Sequence, residues 1–192
     1  MGPVSTDPIA CGVFLLAAFT LAGAAQTAWF TLPASRRFAY PLDAGLQWRG
    51  RRLFGSNKTL RGFVVMVPAS AAAFALLGSS VHEFASLWDL SPLSYAALGA
   101  LAAFGFMAGE LPNSFVKRQL DIAPGRASRR YAAAILQFLV DRLDSGIGML
   151  VVVSLAVPTP WTTWAVVLLV GPAIHWTFSV VMFRLGLKAR PA

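Results

Sequence analysis

Five apolar segments, each close to the length that crosses a bilayer, constrain the fold of this 192-residue chain more than any other feature. They cover approximately Ile9 to Phe30, Gly62 to Ser80, Leu93 to Glu110, Ala132 to Val157 and Trp161 to Phe183. A helix of about 20 apolar residues spans the hydrocarbon core and satisfies its own backbone hydrogen bonds there. The sequence therefore predicts an all-α integral membrane protein with about five transmembrane helices.

The composition agrees with lipid as the solvent, because 57% of residues are hydrophobic and only 12% are charged, against about a quarter charged in soluble domains. A single cysteine excludes a disulfide framework. The net charge of +8 comes from basic residues between the apolar segments, so it indicates an anionic membrane surface or substrate rather than nucleic acid. We predict one polytopic membrane domain over residues 1–192.

The distribution of Lys and Arg predicts the orientation. The connections after the first and third apolar segments and the C-terminal tail are rich in basic residues, whereas the N-terminus, the loop His82 to Pro92 and the turn at Pro158 to Pro160 hold none. Short basic loops stay in the cytoplasm. We therefore expect a multi-pass protein of the inner (plasma) membrane with the N-terminus outside, the C-terminus cytoplasmic, and two functional cytoplasmic loops.

Two acids interrupt the fourth apolar segment, Asp141 and Asp144 in FLVDRLDSGIGMLVVV. An ionised carboxylate at membrane depth costs several kcal/mol or more unless it is compensated, which makes it a candidate functional residue. Three residues apart on a helix, both acids point the same way. Paired carboxylates beside basic residues suit Mg²⁺ and a phosphate that shares the ion. The competing interpretation is a structural salt bridge with Arg142 or another basic residue.

The first basic loop contains a Gly-Ser-Asn-Lys-Thr stretch directly before the second apolar segment. Its backbone N–H groups could approach an anion, and Lys58 and Arg61 could neutralise charge. The spacing is not that of a Walker A motif, and the orientation of the chain alone would also explain basic residues here. Asp43 in the same loop is either a further acid of the site or part of a turn.

The second basic loop is predicted to open at AGELPNSFVKRQL. Glu110 closes the third apolar segment, where it is either a site residue or simply a solvated acid. Pro112 and Asn113 mark a turn or loop in this stretch. Ser114 precedes Lys117 and Arg118 by three and four residues, so one helical face could present a hydroxyl and cations together. In the last apolar segment, His175 is interpreted as a packed residue rather than a ligand.

The ordered blocks GSNKTLRGF, GELPNSFVKR and DRLDS resemble the membrane cytidylyltransferase family, which includes phosphatidate cytidylyltransferase and the CDP-archaeol synthases. The signature of the phosphatidate enzymes is matched by Ser114, Lys117, Arg118, Asp141, Arg142 and Asp144. The small size and the stretch PLDAGLQWRGRRLFGSNKTLRGF are more similar to the CDP-archaeol synthases. The resemblance covers roughly residues 41–148. The family usually has Asp where Glu110 stands, and the Lys-Asp and His-Gly-Gly elements of the phosphatidate enzymes are missing.

The resemblance implies transfer of CMP from CTP to a membrane lipid phosphate, which gives a CDP-lipid of the CDP-archaeol or CDP-diacylglycerol type and pyrophosphate. It implies catalytic roles for Asp141, Asp144, Lys117 and Arg118. It implies Mg²⁺ ligands at Asp141, Asp144 and Glu110. The implied substrate-binding residues are Asn57, Lys58, Thr59, Arg61 and Ser114.

Two other classes of function stay open at this point: a cation-coupled transporter and a non-catalytic lipid-binding membrane protein. A transporter should carry acids through the membrane depth, whereas here they gather toward one face. A homodimer is also possible, because small residues at 99, 100, 102, 103 and 105 would permit close helix contact.

Overall fold

Five long helices dominate the computed structural model, which describes residues 6–81, 86–126, 131–188 and 190. The prediction of a mainly helical chain is confirmed. The first four residues of the loop after the second helix, and Arg129 and Arg130 of the second basic loop, lie outside the described residues. The helices are α1 (Pro8–Thr31), α2 (Leu60–Val81), α3 (Pro92–Gln119), α4 (Tyr131–Ala156) and α5 (Trp161–Arg184).

Four of the five helices, α1, α2, α3 and α5, are long and apolar enough to cross a membrane, judged by length and composition in the described part of the chain. The fourth helix, α4, has sufficient length but carries Asp141, Arg142 and Asp144 in its middle. These three charges distinguish α4 from its neighbours, since a charge at membrane depth needs compensation by other groups.

The helices form a closed ring. Each helix packs on its neighbours in sequence, and α5 closes the ring by packing on α1. The end of the ring nearer the N-terminus is filled by aromatic side chains, with the rings of Phe14 and Phe74 5.1 Å apart in an edge-to-face arrangement. Tyr95 donates a hydrogen bond to the carbonyl of Trp88 at 2.6 Å. The opposite end, which holds the basic loops, is therefore the one at which a site can open.

Helix α3 is longer than predicted and corrects the position of the second loop. Residues 111–119, expected to begin a loop, continue the helix through Pro112 to Gln119. Proline removes its own N–H from the ladder, and its ring crowds the carbonyl four residues earlier. Asn113 and Lys117, which follow Pro112, bond to the acids of α4 and hold this part of the helix in place. Lys117 and Arg118 occupy the last turn, where cations favour the helix C-terminus.

The first basic loop is a folded lobe rather than a flexible stretch. A short 3-10 helix, Pro33–Phe38, is followed by an antiparallel hairpin of β1 (Gln47–Trp48) and β2 (Arg51–Arg52). The two-residue turn has positive φ at both positions, 52° at Arg49 and 75° at Gly50, which matches the twist of a hairpin. A bridge between Pro41 and Thr59 closes the base of the lobe.

Asp43 organises this lobe from inside. Its buried carboxylate accepts hydrogen bonds from the backbone N–H groups of Gly45, Phe54 and Gly55 at 3.0–3.1 Å and pairs with Arg52. Burial alone would raise the pKa of Asp43, but the Arg52 and backbone hydrogen bonds together lower it well below its usual value. The interpretation of Asp43 as part of a turn is therefore correct.

Replacing Asp43 with Asn should destabilise the lobe by about 3 kcal/mol, because the change leaves Arg52 without its buried partner. Thermal unfolding in detergent, followed by circular dichroism, measures the loss. The matched control is Asp121→Asn, because Asp121 also pairs with an arginine of β2, Arg51, but is 69% exposed. An exposed pair contributes about 1 kcal/mol or less, so equal shifts in the two variants would contradict the assignment.

The lowered pKa of Asp43 also predicts a pH dependence of stability. A carboxyl group whose folded-state pKa is depressed stabilises the fold above its unfolded-state pKa of about 3.9 and loses that contribution as the pH falls further. The wild-type protein should therefore lose more stability than Asp43→Asn as the pH falls below that value. Parallel stability curves for the two proteins would contradict this expectation.

Candidate active site

The ring of helices encloses a cavity of about 800 Å³ that also reaches the lobe of the first loop. Its wall changes character along the helices. Polar and charged side chains line the part nearer the lobe, and apolar side chains line the part deeper between the helices. The apolar lining includes Leu16, Phe19, Phe63, Phe106, Val167 and Phe178. A wall of this kind suits a ligand with one charged end and one hydrocarbon end.

Close packing of α3 on α4 positions the charged part of the cavity. A Cβ atom added at Gly109 would lie 2.5 Å from the Asp144 carbonyl oxygen, and one at Gly105 would lie 2.6 Å from the Gly148 carbonyl oxygen. Glycine pairs let helix backbones approach this closely. The approach brings the end of α3 that begins at Glu110 directly against the acids of α4.

Asp141 and Asp144 converge on one amide group. The Asn113 Nδ2 atom donates to Asp141 Oδ1 at 2.6 Å and to Asp144 Oδ2 at 2.7 Å. Ser145 Oγ lies 3.2 Å from Asp144 Oδ1 and 2.9 Å from Glu110 Oε1. The structure therefore brings the three predicted acids into one hydrogen-bonded cluster, which also includes Asn113 and Ser145.

Two lysines compensate these acids. Lys117 pairs with Asp141, and Lys58 reaches from the lobe to pair with Glu110. Burial would lower the pKa of Lys58, but the facing Glu110 carboxylate outweighs this effect and raises the pKa above its usual value. Lys58 is therefore a cation inside the cavity, and the two lysines balance most of the charge of the acids.

Arg142 does not act as the predicted alternative partner of the acids. Its guanidinium lies 3.4 Å from the centre of the Phe138 ring and donates to the Phe138 carbonyl at 2.9 Å. Within the described ranges, no ion pair joins Arg142 to Asp141 or Asp144. The structural salt bridge with Arg142 is therefore not observed, but a salt bridge with another basic residue, which the sequence also left open, joins Lys117 to Asp141. Both carboxylates line the cavity.

Arg118 presents unused donors to the same cavity. Its Nε and one terminal nitrogen are buried and find no hydrogen-bond acceptor among the described residues. Gly55 lies against its side chain, since an added Cβ there would be 3.4 Å from Arg118 Cδ. Buried donors without partners are costly, and an anionic ligand in the cavity would supply acceptors. Ser114, also predicted, is buried and lines the cavity.

The remaining predicted residues, Asn57, Thr59 and Arg61, all line the cavity. Arg61 is partly engaged already, because it donates to the Phe30 carbonyl at 2.5 Å and lies 4.2 Å from the centre of the Phe30 ring. Every predicted site residue thus borders one space. Their individual roles in binding or catalysis stay predictions.

The sequence analysis missed several residues that the structure adds to the cavity. Asn113 was interpreted only as a helix breaker, although its spacing of three residues from Glu110 and four from Lys117 would place it on their helix face. Ser145 directly follows an acid of the pair. Lys188, beyond the last helix, also borders the cavity, and no sequence pattern indicates this.

The chemistry of these donors fits Mg²⁺ in part. This ion commonly uses one or two carboxylates together with substrate phosphates, and Asp141 and Asp144 offer two oxygens that already converge on one point. Glu110 instead faces Lys58 and Ser145. In the described part of the chain, no group of three His, Cys, Asp or Glu side chains is arranged to hold a metal ion. The site therefore fits an ion that takes its other ligands from substrate and water.

The fold and cavity define a class: a polytopic helical membrane protein with an acidic and basic site enclosed by its own apolar helices. Residues 25–191 match the family model described as CarS-like: CDP-archaeol synthase. The chain belongs to the CDP-archaeol synthase family.

Individual relatives support this membership. The chain is 32% identical to the CDP-archaeol synthase of Methanospirillum hungatei over 79% of its own length and 89% of the relative. It is 36% identical to that of Halorubrum lacusprofundi over 79% of its length and 83% of the relative. The similarity therefore spans most of both proteins and extends beyond the motif blocks.

A solved structure described as "Structural insight into an intramembrane enzyme for archaeal membrane lipids biosynthesis" has a similar fold. The TM-score is 0.58 at 28% sequence identity, over 85% of this chain and 90% of the other. The similarity supports an intramembrane architecture for the ring of helices.

Gly109→Ala should separate α3 from α4, since its added methyl group would overlap the Asp144 carbonyl. Overpacking of this kind costs about 1–3 kcal/mol, which should lower the thermal unfolding temperature in detergent. The matched control is Gly146→Ala in α4, where an added Cβ would meet only a Leu168 methyl at 3.6 Å. A Gly109→Ala protein as stable as the control would show that this contact does not position the site.

Proposed function

We propose that this protein transfers CMP from CTP to a membrane lipid phosphate, which yields a CDP-lipid and pyrophosphate. The observation that carries the proposal is the convergence of paired carboxylates, eight basic side chains and an apolar wall on one cavity. Family membership gives independent support, since the relatives are described as CDP-archaeol synthases. The protein is thus a nucleotidyltransferase whose two substrates differ sharply in polarity.

In this reaction an oxygen of the lipid phosphate attacks the α-phosphorus of CTP in line. A new oxygen–phosphorus bond forms while the bond to the β-phosphate bridging oxygen breaks, and pyrophosphate leaves. Phosphoryl-type transfers need positioning and charge stabilisation more than covalent help from the protein. This chain supplies both, because the lobe and the end of α3 hold cations around one space.

Each predicted residue has a role in this scheme. Lys58, Lys117 and Arg118 neutralise the phosphates, and Arg118 does so with donors that have no other described acceptor. Asn57, Thr59, Arg61 and Ser114 orient the substrates from the cavity wall. Asn113 holds Asp141 and Asp144 together before substrate arrives.

Asp141 and Asp144 would hold Mg²⁺, which when bound neutralises phosphate charge and favours nucleotidyl transfer. Glu110 as a further ligand stays a prediction, and it would require Lys58 to release this carboxylate. A triphosphate offers Lys58 an alternative anionic partner. Substrate binding and exposure of Glu110 would therefore be linked.

The proposal includes five transmembrane helices, with the N-terminus outside and the site facing the cytoplasm of the plasma membrane, where CTP is available. The position of the basic residues supports this orientation. A homodimer stays a prediction. Two of the small residues that suggested it, Gly99 and Gly105, pack on α2 and α4 of the same chain.

The two alternative functions receive less support. For a cation-coupled transporter, the acids should follow a path through the membrane, but Glu110, Asp141 and Asp144 gather in one cluster. A non-catalytic lipid-binding protein would not require the carboxylate pair and lysines to line the same cavity as the apolar wall. Neither alternative uses the charged and apolar parts together.

Asp144→Asn should lower CDP-lipid formation at least about 100-fold, as expected when a group that stabilises transition-state charge is removed. Incorporation of radiolabelled CTP into lipid by purified protein measures the change. Asp121→Asn, which removes an exposed acid outside the cavity, is the control. An unchanged size-exclusion elution profile would show that Asp144→Asn is folded. Turnover close to that of wild type in this variant would exclude Asp144 from the site.

Lys117→Ala should raise the KM for CTP or for the lipid phosphate about tenfold, since a charge-assisted contact to phosphate contributes about 1.5–3 kcal/mol. The thermal unfolding temperature should change less than the KM, because Asp141 retains the hydrogen bond from Asn113. Steady-state kinetics with each substrate varied in turn provide the test. An unaltered kinetic profile would exclude Lys117 from substrate binding.

A further inference from the structure

The chain after α5 turns back toward the cavity. Gly186 has φ of +71°, its N–H bonds to the Phe183 carbonyl at 3.0 Å, and the Leu187 N–H bonds to the Met182 carbonyl at 2.8 Å. This pair of bonds with a left-handed glycine is the Schellman arrangement, which reverses the chain at a helix end. The residues that follow α5 are therefore directed back toward the cavity.

The reversal places Lys188 at the mouth of the cavity. Its Nζ atom donates to Ser179 Oγ at 3.0 Å, and Lys188 and Ser179 both line the cavity. Glu110 and Asp141, and also the cations Lys58 and Arg142, lie within electrostatic range of its ammonium group. Lysine has three donors, so the bond to Ser179 leaves others that can face a ligand.

His175 lies one turn before Ser179 on the same face of α5, and it also lines the cavity. Its Nδ1 atom is buried and has no hydrogen-bond partner among the described residues. The ring packs edge-on against Phe106, with ring centres 6.5 Å apart. The interpretation of His175 as a packed residue therefore accounts for its ring but leaves one polar atom without a partner.

We propose that Lys188, Ser179 and His175 form a second anion-binding subsite, on the α5 side of the cavity, that takes the phosphomonoester group of the lipid substrate. The subsite lies on the α5 wall of the cavity, and Glu110 of the acidic cluster is within electrostatic range of both His175 and Lys188. Phe178 and Ile174, on the same helix, line the cavity beside it. A phosphate held here would have hydrocarbon next to it, as a lipid headgroup requires and a nucleotide triphosphate does not.

Charge supports the division into two subsites. This inference rests on the proposed function, in which two anions must meet at one phosphorus atom. Their mutual repulsion is reduced when each has its own cations. Lys58, Lys117 and Arg118 lie on the α3 and lobe side, whereas Lys188 approaches from α5. Lys188 is therefore a positioning residue for the attacking phosphate.

The test replaces Lys188 with Met, which keeps the aliphatic stem and removes the charge. The KM for the lipid phosphate should rise about tenfold, the loss expected for one charge-assisted contact, while the KM for CTP changes less than twofold. Arg184→Ala is the matched control, because Arg184 is exposed at the end of the same helix and does not line the cavity. An equal rise for both substrates, or no rise, would overturn the subsite.

Gly186→Ala provides a second variant that keeps the lysine. An L-residue is strained at this φ, so the tail should lose its direction, and the KM for the lipid phosphate should rise while that for CTP stays the same. Lys188→Arg should restore most of the affinity lost in Lys188→Met. Normal lipid kinetics in Gly186→Ala would show that the turn does not deliver the charge.

Binding measured without CTP separates this inference from the proposed function. Radiolabelled short-chain phosphatidic acid should bind the wild-type protein in detergent and bind Lys188→Met about tenfold more weakly, with inorganic phosphate competing poorly. If this difference appears but no CDP-lipid forms, the proposed function fails and the subsite stands. If CDP-lipid forms but the two proteins bind the lipid equally, or wild type binds none, the subsite is wrong. Equally strong competition by inorganic phosphate would indicate a general phosphate site.

Discussion

The contact between the backbones of α3 and α4 is the constraint on which the site depends. Gly105 and Gly109 on one helix and Gly148 on the other allow an approach that side chains would prevent. Only at this separation can Asn113 of α3 bond to both acids of α4. With side chains at these positions the two helices would lie farther apart, and Asn113 would no longer reach both acids, whose burial at membrane depth needs such compensation.

The arrangement of charge follows from the same contact. Two lysines and an amide bond to the acids, so the site tolerates its own burial. Lys58 and Lys117 are single-point cations on flexible stems, and phosphates can attract them away from the carboxylates. A substrate that brings both anionic oxygens and a divalent cation would exchange partners with the whole cluster.

The sequence predicted those parts of the fold that depend on local patterns. Apolar length identified all five helices, and acids within an apolar segment identified Asp141 and Asp144, because both signals are read within one helix. The lobe was not predicted, since its order comes from Asp43 bonding to groups up to twelve residues away. The continuation of α3 through Pro112 and the return of Lys188 also depend on tertiary contacts. Sequence patterns, which report on neighbouring residues, do not predict such contacts.

The apolar lining of the cavity bears on which lipid the protein accepts. Its apolar lining consists of aliphatic, aromatic and methionine side chains, and these treat isoprenoid and acyl chains alike in polarity. Discrimination must then come from shape, since branched chains are wider than straight ones, or from polar groups near the headgroup. The gap between α1 and α5 is narrow at Gly23, where an added Cβ would lie 3.0 Å from the Phe178 ring. A larger side chain at Gly23 would press on the Phe178 ring and change the width of the cavity at this point.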